Sequence, residues 1–162
     1  MAKRVHIFVD LGNMYYRVFK RFGQRKIDFQ KYLAFCQTHL EDAQVVQSRA
    51  YGTQRESEAT PFIQRLQFMG WHPIYNVIGS YKGHSWVPGM TVDVMKIAAN
   101  TDIVIIGSSD AGFLPVIEHL QNEGIQVLVI GAIVNPHMAK TVECYEISEE
   151  ELEDESTDDA SG

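Results

Sequence analysis

Three aspartates, Asp10, Asp93 and Asp110, and one asparagine, Asn13, have the types and positions that suit chemistry in this chain. Asp10 directly follows the apolar run Val5–Val9, and Asn13 comes three residues later. Asp110 lies four residues past the run Asp102–Ile106, within Gly-Ser-Ser-Asp-Ala-Gly, and Asp93 stands near the start of the helical stretch Thr91–Ala99. Carboxylates brought together repel one another unless a cation neutralises them. Hard oxygen ligands favour Mg²⁺ or Mn²⁺, and no Cys/His set with zinc spacing is present. A hydrated divalent ion in an acidic pocket suits phosphodiester hydrolysis: it acidifies bound water, polarises the phosphoryl oxygen and offsets developing charge. Each aspartate also has a plainer reading, as a helix cap or as an acid facing a helix dipole. The coincidence of all three at one expected ligand edge carries the metal reading.

That edge follows from the elements. Val5–Val9, Gln44–Tyr51, His72–Ile78, Asp102–Ile106, Ile125–Ile130 and Val142–Ile147 read as short β-branched strands. Between them, apolar spacing predicts helices over Asn13–Phe22, from an Asp28 cap to about His39, and over Ser57–Met69, Thr91–Ala99 and Ala111–Asn122. Gly79–Gly89 reads as a loop. Such alternation indicates a three-layer α/β/α fold with a mainly parallel central sheet. Ligands of these sheets sit beyond the carboxyl ends of the strands, where Asp10 and Asp110 are expected.

With 162 residues, 45% of them hydrophobic, the chain has enough apolar material for one folded domain. Its net charge of −7 conceals a strong asymmetry. Ser148–Gly162 holds eight acids and no base, whereas Met1–Lys31 holds eight bases and two acids. The expected organisation is a domain over 1–147 and an acidic, flexible tail over 148–162. Two cysteines outside any CxxC, no cleavage-site pattern and no apolar run of membrane length lead to the expectation of a cytoplasmic protein without a membrane partner.

Three blocks, in order, resemble the NYN domain family, PIN-like nuclease relatives that include the LabA-type bacterial proteins. His6–Tyr16 resembles that family's opening strand-Asp-x-x-Asn block, with Asp10 and Asn13 in the motif positions. Gly89–Ala98 resembles its Lys-Gly-Val-Asp-Val block, with Asp93 as the acid, and Asp102–Gly131 resembles its strand, Ser-Gly-Asp-Ser-Asp-Phe turn, helix and strand, with Ser108 and Asp110 in the turn. The resemblance covers roughly residues 4–147. It implies a PIN-like (Rossmann-like) fold and metal-dependent RNA cleavage, with Asp10, Asp93 and Asp110 holding Mg²⁺ or Mn²⁺ and Asn13 and Ser108 orienting ligands or the phosphate. Two positions depart from the pattern: Gly112 replaces the turn's second Asp, and Met90 replaces the motif Lys. They keep open a second reading, a catalytically weakened RNA-binding or regulatory module. A haloacid-dehalogenase-type phosphohydrolase fits poorly, since that chemistry uses Asp-x-Asp and here Gly12 follows Asp10-Leu11. No GxGxxG follows a strand and no GxxxxGK[ST] occurs.

The expected partner is single-stranded RNA, with a homo-oligomer left open. Arg17, Lys20 and Arg21 lie three and four apart and share a helical face suited to phosphates. Lys82 and Trp86 interleave a base and an aromatic in the Gly79–Gly89 loop, an arrangement that holds backbone while stacking a base. The acidic tail would compete with RNA for the basic helix. A solvated helix face, and a tryptophan plugging the edge of the core, are the alternatives.

Overall fold

A computed structural model describes residues 1–54, 60–77 and 85–155. The order of elements is β1 (Lys3–Asp10), α1 (Leu11–Phe22), α2 (Phe29–Thr38), β2 (Ala43–Gln54), α3 (Pro61–Phe68), β3 (His72–Val77), α4 (Val87–Ile97), β4 (Ile103–Gly107), α5 (Leu114–Asn122), β5 (Gln126–Gly131), α6 (Pro136–Ala139) and β6 (Glu143–Glu146). The six strands form one sheet in the order β3-β2-β1-β4-β5-β6, and every pairing is parallel. Central strands of such a sheet are covered on both faces, which is why β1 is buried from Val5 through Asp10 without alternation and β4 along its whole length.

Strand order reverses between β1 and β4. Right-handed crossovers leaving in opposite directions place their helices on opposite faces. One face accordingly carries Met14 and Val18 of α1, Phe29 and Tyr32 of α2 and Leu66 of α3, packed on Val5, Ile7, Val9 and Ile105. The other carries Met90 and Val94 of α4, Ile117 and Leu120 of α5 and Met138 of α6, packed on Phe8, Tyr51, Val104 and Ile106. A Cβ at Gly107 would meet the Tyr32 hydroxyl at 2.7 Å. That close approach lets the hydroxyl donate to the Ile130 carbonyl at 2.7 Å, tying α2 to the sheet through a buried hydrogen bond.

Several local expectations shift. Helix α4 begins at Val87, not Thr91, because Pro88 suits a first turn. The expected helix from Ala111 opens as a 3₁₀ turn, Ala111–Phe113, with Pro115 then confined to the first turn of α5. Helix α3 starts at Pro61 behind a Thr60 cap; the expected start at Ser57 and most of the Gly79–Gly89 loop, Lys82 included, lie outside the described residues. Within the stretch expected as an acidic, flexible tail, residues 148–155 lie against the domain. Leu152 is buried and pairs with Ile27 in an antiparallel bridge, and Glu151 closes a capping box on Ser148. Lys31 and Arg25 lie 3.4 Å from Asp154 and Glu155. Burial of Leu152 and the backbone bonds Asp28 N–H to Glu151 O and Glu153 N–H to Lys26 O dock the segment together. Among the described residues no helix is long and apolar enough to cross a membrane.

Candidate active site at the carboxyl edge of the sheet

The reversal of strand order opens a crevice between the carboxyl ends of β1 and β4. Val9 pairs with Gly107, so the chain leaves β1 at Asp10 beside the point where it leaves β4 at Ser108. Asp10 caps α1, its Oδ1 accepting from the Asn13 amide at 3.3 Å, and only 7% of the residue is exposed. Burial raises its carboxyl above the usual range; the amide hydrogen bond from Asn13 opposes the rise, and the nearby Asp110 carboxylate adds to it. Asp110 caps the following 3₁₀ turn, Oδ1 accepting from the Gly112 amide at 2.8 Å. Neither acid has an ion-pair partner among the described residues.

The turn that carries Asp110 is held from two sides. Asn13 Oδ1 accepts from the Ser109 amide at 2.9 Å and from its hydroxyl at 3.3 Å, while Asn135 Nδ2 donates to the Ser109 carbonyl at 3.1 Å. Ser108 is fully buried, its Oγ accepting from the Asp110 amide at 3.2 Å. Ser108, expected to orient ligands or the phosphate, here shapes the turn that carries Asp110.

Asp93, expected as the third metal-holding acid, lies against Tyr51 and Arg49. From α4 its Oδ2 accepts from the Tyr51 hydroxyl at 2.8 Å and lies 3.5 Å from Arg49 Nη1. Tyr51 pairs with Asp10 in register, and Arg49 pairs with Phe8, over whose ring its guanidinium lies at 5.6 Å. Burial raises the Tyr51 hydroxyl, so it remains a donor at neutral pH. Among the described residues no three His, Cys, Asp or Glu side chains assemble as a metal-holding group. Asp10 and Asp110 are neighbours, whereas Asp93 is matched by a cation the chain itself supplies.

The expected phosphate stripe also divides. Arg21 Nη1 donates to the Ala132 and Ile147 carbonyls at 2.9 and 2.7 Å, so Arg21 clamps the ends of β5 and β6 and is withdrawn from the stripe. Arg17 and Lys20 remain, at 5.6 and 5.5 Å from the centre of the Tyr16 ring. Trp86 donates Nε1 to the Gly52 carbonyl at 2.9 Å and packs edge-on to Tyr51, plugging the core edge as the alternative held. Arg49, Tyr51, Ser109 and Asn135 were not singled out in the sequence. Looking beyond strand ends passes over Arg49, which lies inside a strand; an arginine within an otherwise uncharged β run was the available signal.

The family model of the NYN domain matches residues 4–147. This chain belongs to the NYN domain family. The NYN domain places it in the PIN-like nuclease superfamily, whose members generally use divalent metals. A protein of unknown function from Vibrio parahaemolyticus has a similar solved structure, with a TM-score of 0.77 and 21% identity over 94% of this chain and 97% of that one. That likeness concerns the fold alone. No curated protein matches the chain.

The donor set of this NYN domain fits a hydrated divalent ion. Asp10 and Asp110 are hard oxygen donors of like charge with no basic neighbour in an ion pair among the described residues. Mg²⁺ is commonly held by one or two carboxylates, retained waters and substrate phosphate.

Proposed function

We propose that this NYN domain is a ribonuclease that hydrolyses RNA phosphodiester bonds with Mg²⁺ or Mn²⁺ held by Asp10 and Asp110. The observation that carries the reading is the pair of uncompensated carboxylates at the switch point, one of them buried. The ion, when bound, supplies a more acidic water and polarises the phosphoryl oxygen. Asn13 and Asn135 keep the Ser109 turn, and hence Asp110, at the site. Tyr51, which pairs with Asp10, and Arg49 hold Asp93, which acts as a positioning residue. Lys20 and Arg17 guide the single strand towards the acids. The free thiols Cys36 and Cys144 suit a cytoplasmic setting. The test is cleavage of single-stranded RNA by the purified protein in Mn²⁺, abolished by Asp110→Asn. Equal cleavage by that variant would assign the activity elsewhere.

A second reading, an RNA-binding module with weakened catalysis, is favoured by Met90. The residue at the family's lysine position is fully buried in the core, so no charge there reaches a phosphate. RNA binding without metal-dependent cleavage would select this reading.

A further inference from the structure

We infer that the outer face of α1 is a stacking platform for single-stranded RNA, with Tyr16 and Phe19 receiving bases and Arg17 and Lys20 the adjoining phosphates; this rests on the domain acting on RNA. Tyr16 and Phe19 are 54% and 56% exposed, large costs in apolar surface for a helix that buries Leu11, Met14 and Val18 beneath. They lie three residues apart and so are neighbours on the helix surface. Asn13 stands three residues before Tyr16 on the same face, and its side chain holds the Ser109 turn of the acidic site. The platform thus adjoins, through Asn13, the turn that carries Asp110.

The charge on this face indicates what covers it. Within the basic segment, Arg21 is used on two carbonyls, Arg25 on Glu155 and the Glu153 carbonyl, and Lys31 on Asp154 and the Leu152 carbonyl. Arg17 and Lys20 are left over the Tyr16 ring, with no acidic partner among the described residues. Aromatic faces interleaved with unpaired cations fit unstacked bases on a polyanion, where each ring contributes without regard to sequence. An uncharged protein surface would leave both cations unmatched.

The test is fluorescence anisotropy of a labelled oligoadenylate in EDTA at low salt, which makes binding independent of cleavage. Tyr16→Ala and Phe19→Ala should each weaken binding by about fivefold or more, Tyr16→Phe should stay within about twofold of the parent, and Lys20→Gln should lower the salt dependence by about one ion. Both rings are exposed, so their replacement leaves the fold intact, checked by an unchanged melting curve. Affinity indifferent to both alanines, or a parent that does not bind, overturns the platform. So does a parent dimer, by light scattering, that Phe19→Ala dissolves with RNA affinity unchanged, which assigns the face to a second copy. Ring-dependent binding without any Mn²⁺-dependent cleavage would remove the nuclease reading and leave the platform standing.

Discussion

Whether Asp93 is held by Arg49 or is open to a metal separates the proposed two-carboxylate site from a three-acid cluster. The two groups lie 3.5 Å apart, with side chains 19% and 26% exposed. Unit charges at that distance attract by about 5 kcal/mol at an effective dielectric of ~20 and about 1 kcal/mol in bulk water. Partial exposure and the entropy of ordering the arginine place the net value towards the lower limit, at about 1–2 kcal/mol. A double-mutant cycle with Arg49→Gln and Asp93→Asn measures it by urea unfolding, since Asn retains an oxygen for the Tyr51 hydroxyl and removes only the charge. The coupling should fall only modestly between low and high salt, because water screens a half-buried pair incompletely. A Mn²⁺ titration of Asp93→Asn should show affinity changed far less than in Asp110→Asn. A coupling below about 0.3 kcal/mol, together with loss of Mn²⁺ binding in Asp93→Asn, would refute the reasoning and restore Asp93 as a direct ligand.

Three more expectations follow from the geometry. Asp10→Asn should abolish cleavage yet raise the urea midpoint at pH 7, because the Asn still caps α1 and the ionised native carboxylate is disfavoured by burial. The folded-state pKa of Asp10 lies above the unfolded one, so this gain is full above the folded value, shrinks as pH falls through it and is gone below about 4; a gain that grows on acidification would contradict the sign. Gly112→Asp should not restore activity: a Cβ there meets Asp110 Oδ1 at 3.0 Å and Val87 Cγ1 at 3.2 Å, so the variant should lose about 1–3 kcal/mol and cleave no faster in Mn²⁺. Leu152→Ala should cost about 2–3 kcal/mol in urea unfolding, since the side chain is buried in the main core; an unchanged midpoint would return the whole acidic segment to solvent.

Much of this protein was legible in its residues taken in order. The short, mostly apolar runs alternating with helical patterns read as parallel strands buried on both faces, and the Asp28 cap and glycine stops marked helix limits. That Asp10 and Asp110 would stand near each other was legible because strand ends are local features of the sequence. What the residues in order did not contain was direction in space. Arg21 and Arg17 have the same chemistry and share a helix, yet one reaches the β5–β6 carbonyls and the other faces Tyr16. Arg49 and Asp93 are forty-four positions apart and meet only because β2 lies beneath α4. The acidic tail binds through Leu152, whose burial depends on a groove made by Ile27 and the core below it. Side-chain pairing between distant segments depends on helix rotation and sheet register together, and the fold alone decided those.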